Sequence, residues 1–158
     1  MGNLEHTAIV ILVGIGMIGL TVILHVAGVV FWLKRLGEGL EARAKDGQRP
    51  QLFRAILTTA IGLLMLHLLE AYLWAVLYIK MPGQAGLESM HDAFYFSIIT
   101  FTTLGYGDIT LNSEWQLLAG LESMIGIMMF GMSTALLYAV VQKCWMVTHK
   151  DKFNLKKN

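Results

Sequence analysis

Apolar residues dominate three stretches of this chain, 7–33, 55–79 and 115–141. Each exceeds the roughly 20 residues that a helix needs to cross the hydrocarbon core of a bilayer. Between the second and third lies a shorter run, 90–102. At about 1.5 Å per residue its roughly 13 residues reach only part of the way through. The pattern predicts an all-α integral membrane fold, with three transmembrane helices and one short re-entrant helix. Polar and charged residues gather in the segments between, where they mark the turns.

Composition agrees: 56% of the 158 residues are hydrophobic and 15% are charged, too apolar for an ordinary soluble domain. The formal net charge of +1 gives no global field for nucleic acid, so no nucleic-acid partner is expected. A single cysteine, Cys144, excludes an intrachain disulfide framework. The start, Met1 to His6, has no basic residue, and the apolar run behind it is too long for a cleaved signal. A retained first helix is expected.

Charge sets the orientation. Of the 12 Lys and Arg residues, Lys34, Arg35, Arg43, Lys45, Arg49 and Arg54 lie in one linker and Lys143, Lys150, Lys152, Lys156 and Lys157 in the tail, which leaves only Lys80 elsewhere. The positive-inside rule puts linker and tail in the cytoplasm and the N-terminus outside. Helical charge spacing over 38–46 followed by Gly47 predicts a separate short helix on the lipid headgroups. The first span has no regularly spaced arginines, so no voltage sensor is expected. After Lys143 only a short tail follows in this sequence, so a cytoplasmic ligand-binding domain is not expected there.

The chemistry concentrates in Thr100-Phe101-Thr102-Thr103-Leu104-Gly105-Tyr106-Gly107-Asp108. Glycines spaced by one permit positive φ at alternate residues, which turns successive carbonyls the same way. This run resembles the selectivity-filter signature of potassium channels, and the resemblance extends over about 55–141. The family it resembles is the potassium-channel pore family with two helices and a pore loop. Within that group the chain looks like small bacterial ion-channel proteins with His-Leu-Leu-Glu in the outer helix, here His67-Leu68-Leu69-Glu70. The resemblance implies a homotetramer passing K+ through carbonyl sites at Thr103, Leu104, Gly105 and Tyr106, with Gly107 shaping the outer mouth. K+ in the filter is the only bound species it implies, with no other cofactor. The chain then divides into an extra N-terminal helix (1–33), a basic linker (34–54), a pore domain (55–142) and a basic tail (143–158). Within the pore domain the expected elements are an outer helix (55–80), a pore helix (90–102), the filter (103–107) and an inner helix (115–142).

Filter support is assigned by the same resemblance to Tyr95, Phe96, Ile99, Thr100 and Asp108. Phe94-Tyr95-Phe96 take the place of the aromatic cuff, and a buried Tyr95 hydroxyl needs a partner, for which Asp108 is the candidate. Some members carry a carboxylate behind the filter; Ile99 stands at that position here. Leu104 departs from the usual valine or isoleucine and lacks the β-branch that stiffens χ1, which predicts a looser strand. Glu88, Asp92, Asp108 and Glu114 would attract cations at the outer mouth.

Gly126 and Gly131 are candidate hinges of the inner helix, or close-packing positions. Glu70 and Glu122 fall inside apolar spans, where a charge costs about 2.5–3.5 kcal/mol. With His67, three residues from Glu70 and so on the same helix face, they form a candidate buried polar or pH-sensitive cluster. His25 is read as a packed or headgroup-facing residue, and Gly14-Ile15-Gly16-Met17-Ile18-Gly19 as a helix-packing stripe. No catalytic constellation appears, so an enzyme is not expected. The rival functions are a weakly selective cation channel and a non-conducting accessory subunit.

Overall fold

The computed structural model describes residues 2–45 and 51–154. Among these it is all helical: α1 (Gly2–Lys45), α2 (Leu52–Lys80), α3 (Met90–Phe101) and α4 (Gln116–Asn154), with a 3-10 turn at Pro82–Gly86. Three segments are long and apolar enough to cross a membrane, Leu4–Gly39, Phe53–Lys80 and Gln116–Lys143. The chain is therefore a multi-pass membrane protein. α2 closes with Met81 N–H on Leu77 O at 3.1 Å, and Pro82, which has no N–H to donate, ends the helix.

Two helices run further than the hydrophobic pattern suggests. α1 continues through Lys45, so the residues after Leu33 extend the first helix and form no separate surface helix. The expected stop at Gly47 lies outside the described residues. α4 likewise continues to Asn154, taking most of the basic tail into the inner helix. Once nucleated, a helix gains one hydrogen bond per added residue, and Gly37 and Gly39 cost it only about 1 kcal/mol each. Apolarity marks the span in lipid; it does not mark where the helix ends.

The chain forms two compact units, Met1–His25 with Leu66–Phe130 and Val26–Met65 with Gly131–Asn158. In the first, Trp74, Tyr78, Phe101, Leu118 and Met129 are fully buried, and Trp74 Nε1 donates to Thr21 Oγ1 at 3.1 Å. Gly14 of α1 lets Leu121 of α4 approach: a β-carbon there would stand 2.3 Å from Leu121 Cδ1. Among the described residues Gly16 and Gly19 meet nothing within 4 Å, and of that glycine stripe Gly14 is the position with a packing neighbour. In the second unit, Ala55, Leu63, Leu136 and Val140 form the core with Val29 and Leu36. There Trp32 Nε1 donates to Thr59 Oγ1 at 2.9 Å.

Large apolar side chains such as Leu12, Ile23, Leu64, Met124 and Ile127 face outward. In water such a surface would aggregate; against lipid tails it carries no comparable penalty.

Candidate functional site

The short helix α3 is fixed at both ends. At its start Ser89 Oγ accepts from Asp92 N–H at 3.2 Å and donates to Asp92 Oδ2 at 2.8 Å. That hydroxyl contact, reinforced by His91, holds the Asp92 carboxyl below the ordinary carboxylate range, and a negative first turn suits the helix dipole. The Ser-x-x-Asp spacing is a readable start signal. At its end Thr102 caps the helix with its N–H on Ile98 O at 3.0 Å.

The 103–107 segment leaves directly from this carbonyl-rich end, where the helix carries partial negative charge. Thr103 N–H bonds Thr100 O at 2.9 Å and Gly105 N–H bonds Ile99 O at 3.0 Å. Positive φ falls on every second residue: Thr103 at 60°, Gly105 at 52° and Gly107 at 76°. The two glycines match the sequence argument. Thr103 does not, because a β-branched residue in this region costs of order 1–3 kcal/mol and persists only where its surroundings impose it. The bond to Thr100 is one such restraint.

Leu104 and Tyr106 are exposed, and Tyr95 Oη donates to Asp108 Oδ2 at 2.7 Å. The Asp108 carboxylate holds the Tyr95 hydroxyl above its ordinary pKa. Phe96 packs edge-on to Tyr78, with ring centroids 5.4 Å apart, and Ile99 is buried. Thr103, Gly105 and Gly107 line a cavity of about 300 Å³ together with Ile99, Ala119 and Ser123.

α4 meets the end of α3 through its smallest residues. Ser123 Oγ lies 3.1 Å from Thr100 O. Gly126 stands so close to Phe101 that an added β-carbon would fall 1.9 Å from its carbonyl oxygen. Gly131 meets nothing within 4 Å.

The buried acids do not form one cluster, as the His67, Glu70 and Glu122 grouping supposed. Glu122 bonds Tyr78 and Ser97: Tyr78 Oη donates to Oε2 at 2.6 Å, and Ser97 Oγ contacts Oε1. Ser97 Oγ also lies 2.6 Å from the Ala71 carbonyl oxygen. A hydroxyl has one proton, and two such oxygen–oxygen contacts need two. The chain of bonds closes when Glu122 is the neutral acid and donates to Ser97. Glu70 instead takes His25 Nδ1 on Oε1 at 2.8 Å and His67 Nδ1 on Oε2 at 3.1 Å. His25, read from the sequence as a packed or headgroup-facing residue, is packed and fully buried, and it belongs to this triad. The missed signal was thermodynamic: intramembrane ionisable residues find one another, and α1 has His25 deep in its apolar run.

A family model described as "Ion channel" matches residues 55–143. No curated protein and no solved structure matches the chain.

Proposed function

The chain belongs to the ion channel family, and from that premise we propose that it is a potassium-selective channel assembled from four copies. The observation that carries this reading is the backbone of 103–107, left-handed at Thr103, Gly105 and Gly107 and starting at the C-terminal end of α3. Alternating handedness turns carbonyls of successive residues toward one side, and four such strands around an axis would replace the hydration shell of K+. One chain supplies a quarter of each ring, which is the reason for four copies. Thr103, Leu104, Gly105 and Tyr106 supply the ion sites in this reading, and Gly107 the outer mouth. The basic residues of the linker and tail lie on the cytoplasmic side and the N-terminus outside.

The test is K+ flux from liposomes containing the purified protein, with reversal potentials in mixed K+ and Na+. A strong K+ preference is expected. Equal permeability would favour the weakly selective channel, for which the exposed Leu104, 55% accessible, is the specific reason. Absence of flux would favour an accessory subunit. Cross-linking in the membrane should stop at four copies; a defined monomer or dimer would refute the assembly.

A further inference from the structure

The conduction reading makes no use of His25, His67 and Glu70, yet these three form the most concentrated set of ligand atoms among the described residues. All are buried, at 0%, 7% and 0% exposure. The two imidazoles stack at 5.4 Å with an interplanar angle of 27°, and each directs Nδ1 at a different oxygen of the same carboxylate. A buried carboxylate in an apolar bundle must be paired or hold a metal. Among the described residues its ion-pair partners are these two histidines, with no lysine or arginine.

We propose that His25, His67 and Glu70 bind one divalent transition-metal ion of the Zn2+ type per chain, joining α1 to α2. Two imidazole nitrogens and a carboxylate oxygen are a donor set such ions favour. One ligand atom from each residue lies within 4.8 Å of the others. Ligands bonded at about 2.05 Å around a tetrahedral ion stand roughly 3.3 Å apart. The nitrogen–oxygen contacts, 2.8 Å to Oε1 and 3.1 Å to Oε2, reach the two different oxygens of one carboxylate, so a turn of the side chains is needed to bring both nitrogens and one oxygen around the ion. The ion would take the place of the protons now between nitrogen and oxygen, leaving a fourth position for water. His67 and Glu70 share one face of α2 by their spacing of three, and His25 comes from α1, so the ion would fix the first helix to the second.

The experiment uses the untagged full chain in detergent, dialysed against Zn2+ and counted by elemental analysis, with Co2+ as a spectroscopic substitute. One ion per chain and the intense visible bands of tetrahedral cobalt are expected. Glu70→Gln and His25→Asn should each weaken binding at least about tenfold, since even residues behind metal ligands contribute about 10–100-fold. A variant with His6, His91 and His149 all replaced by Asn should bind as the parent does. Binding that survives Glu70→Gln, or vanishes in the three-histidine variant, overturns the site. Should the triad variants fail to fold, the parent still decides, because absence of tetrahedral cobalt bands leaves a hydrogen-bonded tie and no metal site.

Discussion

The carbonyl oxygen of Phe101 stands 1.9 Å from where a β-carbon on residue 126 would sit. Gly126 therefore lets the inner helix lie directly on the last turn of α3, the turn from which the 103–107 segment departs. Close approach accounts for this glycine without a hinge, whereas Gly131 has open space beside it.

Substitution at the two positions should separate these roles. Gly126→Ala should destabilise the protein by about 1–3 kcal/mol, since the clash is with backbone that cannot rotate away, and should cut ion flux. Gly131→Ala should fold at least as well, gaining up to about 1 kcal/mol of helix propensity. Thermal unfolding in detergent beside liposome flux measures both. A tolerated Gly126→Ala would show that α4 shifts freely against α3.

Gly105→Ala meets no neighbour, so its effect is conformational: φ of 52° costs a residue with a β-carbon about 1–2 kcal/mol. The helices should still assemble while K+ over Na+ preference is lost, read as a shift in reversal potential. Unaltered selectivity would remove the argument from carbonyl orientation.

Leu104→Val should conduct and sharpen selectivity, because a β-branched side chain restricts the strand. Reversal potentials again decide, and a marked loss of selectivity would show that the surroundings are built for leucine.

Glu122→Gln keeps a donor for Ser97 and an acceptor for Tyr78, so unfolding should move by less than about 1.5 kcal/mol. Glu122→Ala strands the buried Tyr78 hydroxyl, leaves Ser97 only the Ala71 carbonyl and opens a cavity, and should cost about 3 kcal/mol or more. The infrared carbonyl stretch of a protonated carboxylic acid should be present in the parent and lost in Glu122→Gln. Its absence from the parent would mean an ionised Glu122 and a different hydrogen-bond chain.

Tyr95→Phe removes the donor to Asp108 and should loosen the far end of the 103–107 segment, which on the proposed function lowers K+ preference without unfolding the helices. The Tyr95 hydroxyl titrates above its ordinary value near 10 because Asp108 accepts from its protonated form. The bond's contribution is thus complete below about pH 10 and is lost only as pH rises through the raised pKa. Parent and Tyr95→Phe should differ in selectivity by a constant amount from pH 6 to 9. Convergence of the two within that range would show that Tyr95 has already released its proton.

Much of this architecture was legible in the linear order of residues. Three long apolar runs and one short run specify three spanning helices and α3, because lipid leaves backbone polar groups no partner outside a helix. The Gly-x-Gly spacing at Gly105 and Gly107 announced positive φ, since glycine alone enters that region without a penalty. Contacts between helices were decided by tertiary structure. His25 is 45 residues from Glu70 and Tyr78 is 44 from Glu122. Periodicity says that such residues are buried, but says nothing about which helix faces which. Phe101 and Gly126 show the same limit: a glycine reads alike as hinge or contact until a neighbouring backbone occupies the space its side chain lacks. Thr103 shows it for the backbone, because its local preference opposes the conformation that the end of α3 imposes. Local rules act over a few residues and determined the helices; the pairings were decided by packing, where each buried polar group must find whatever partner the fold brings within reach.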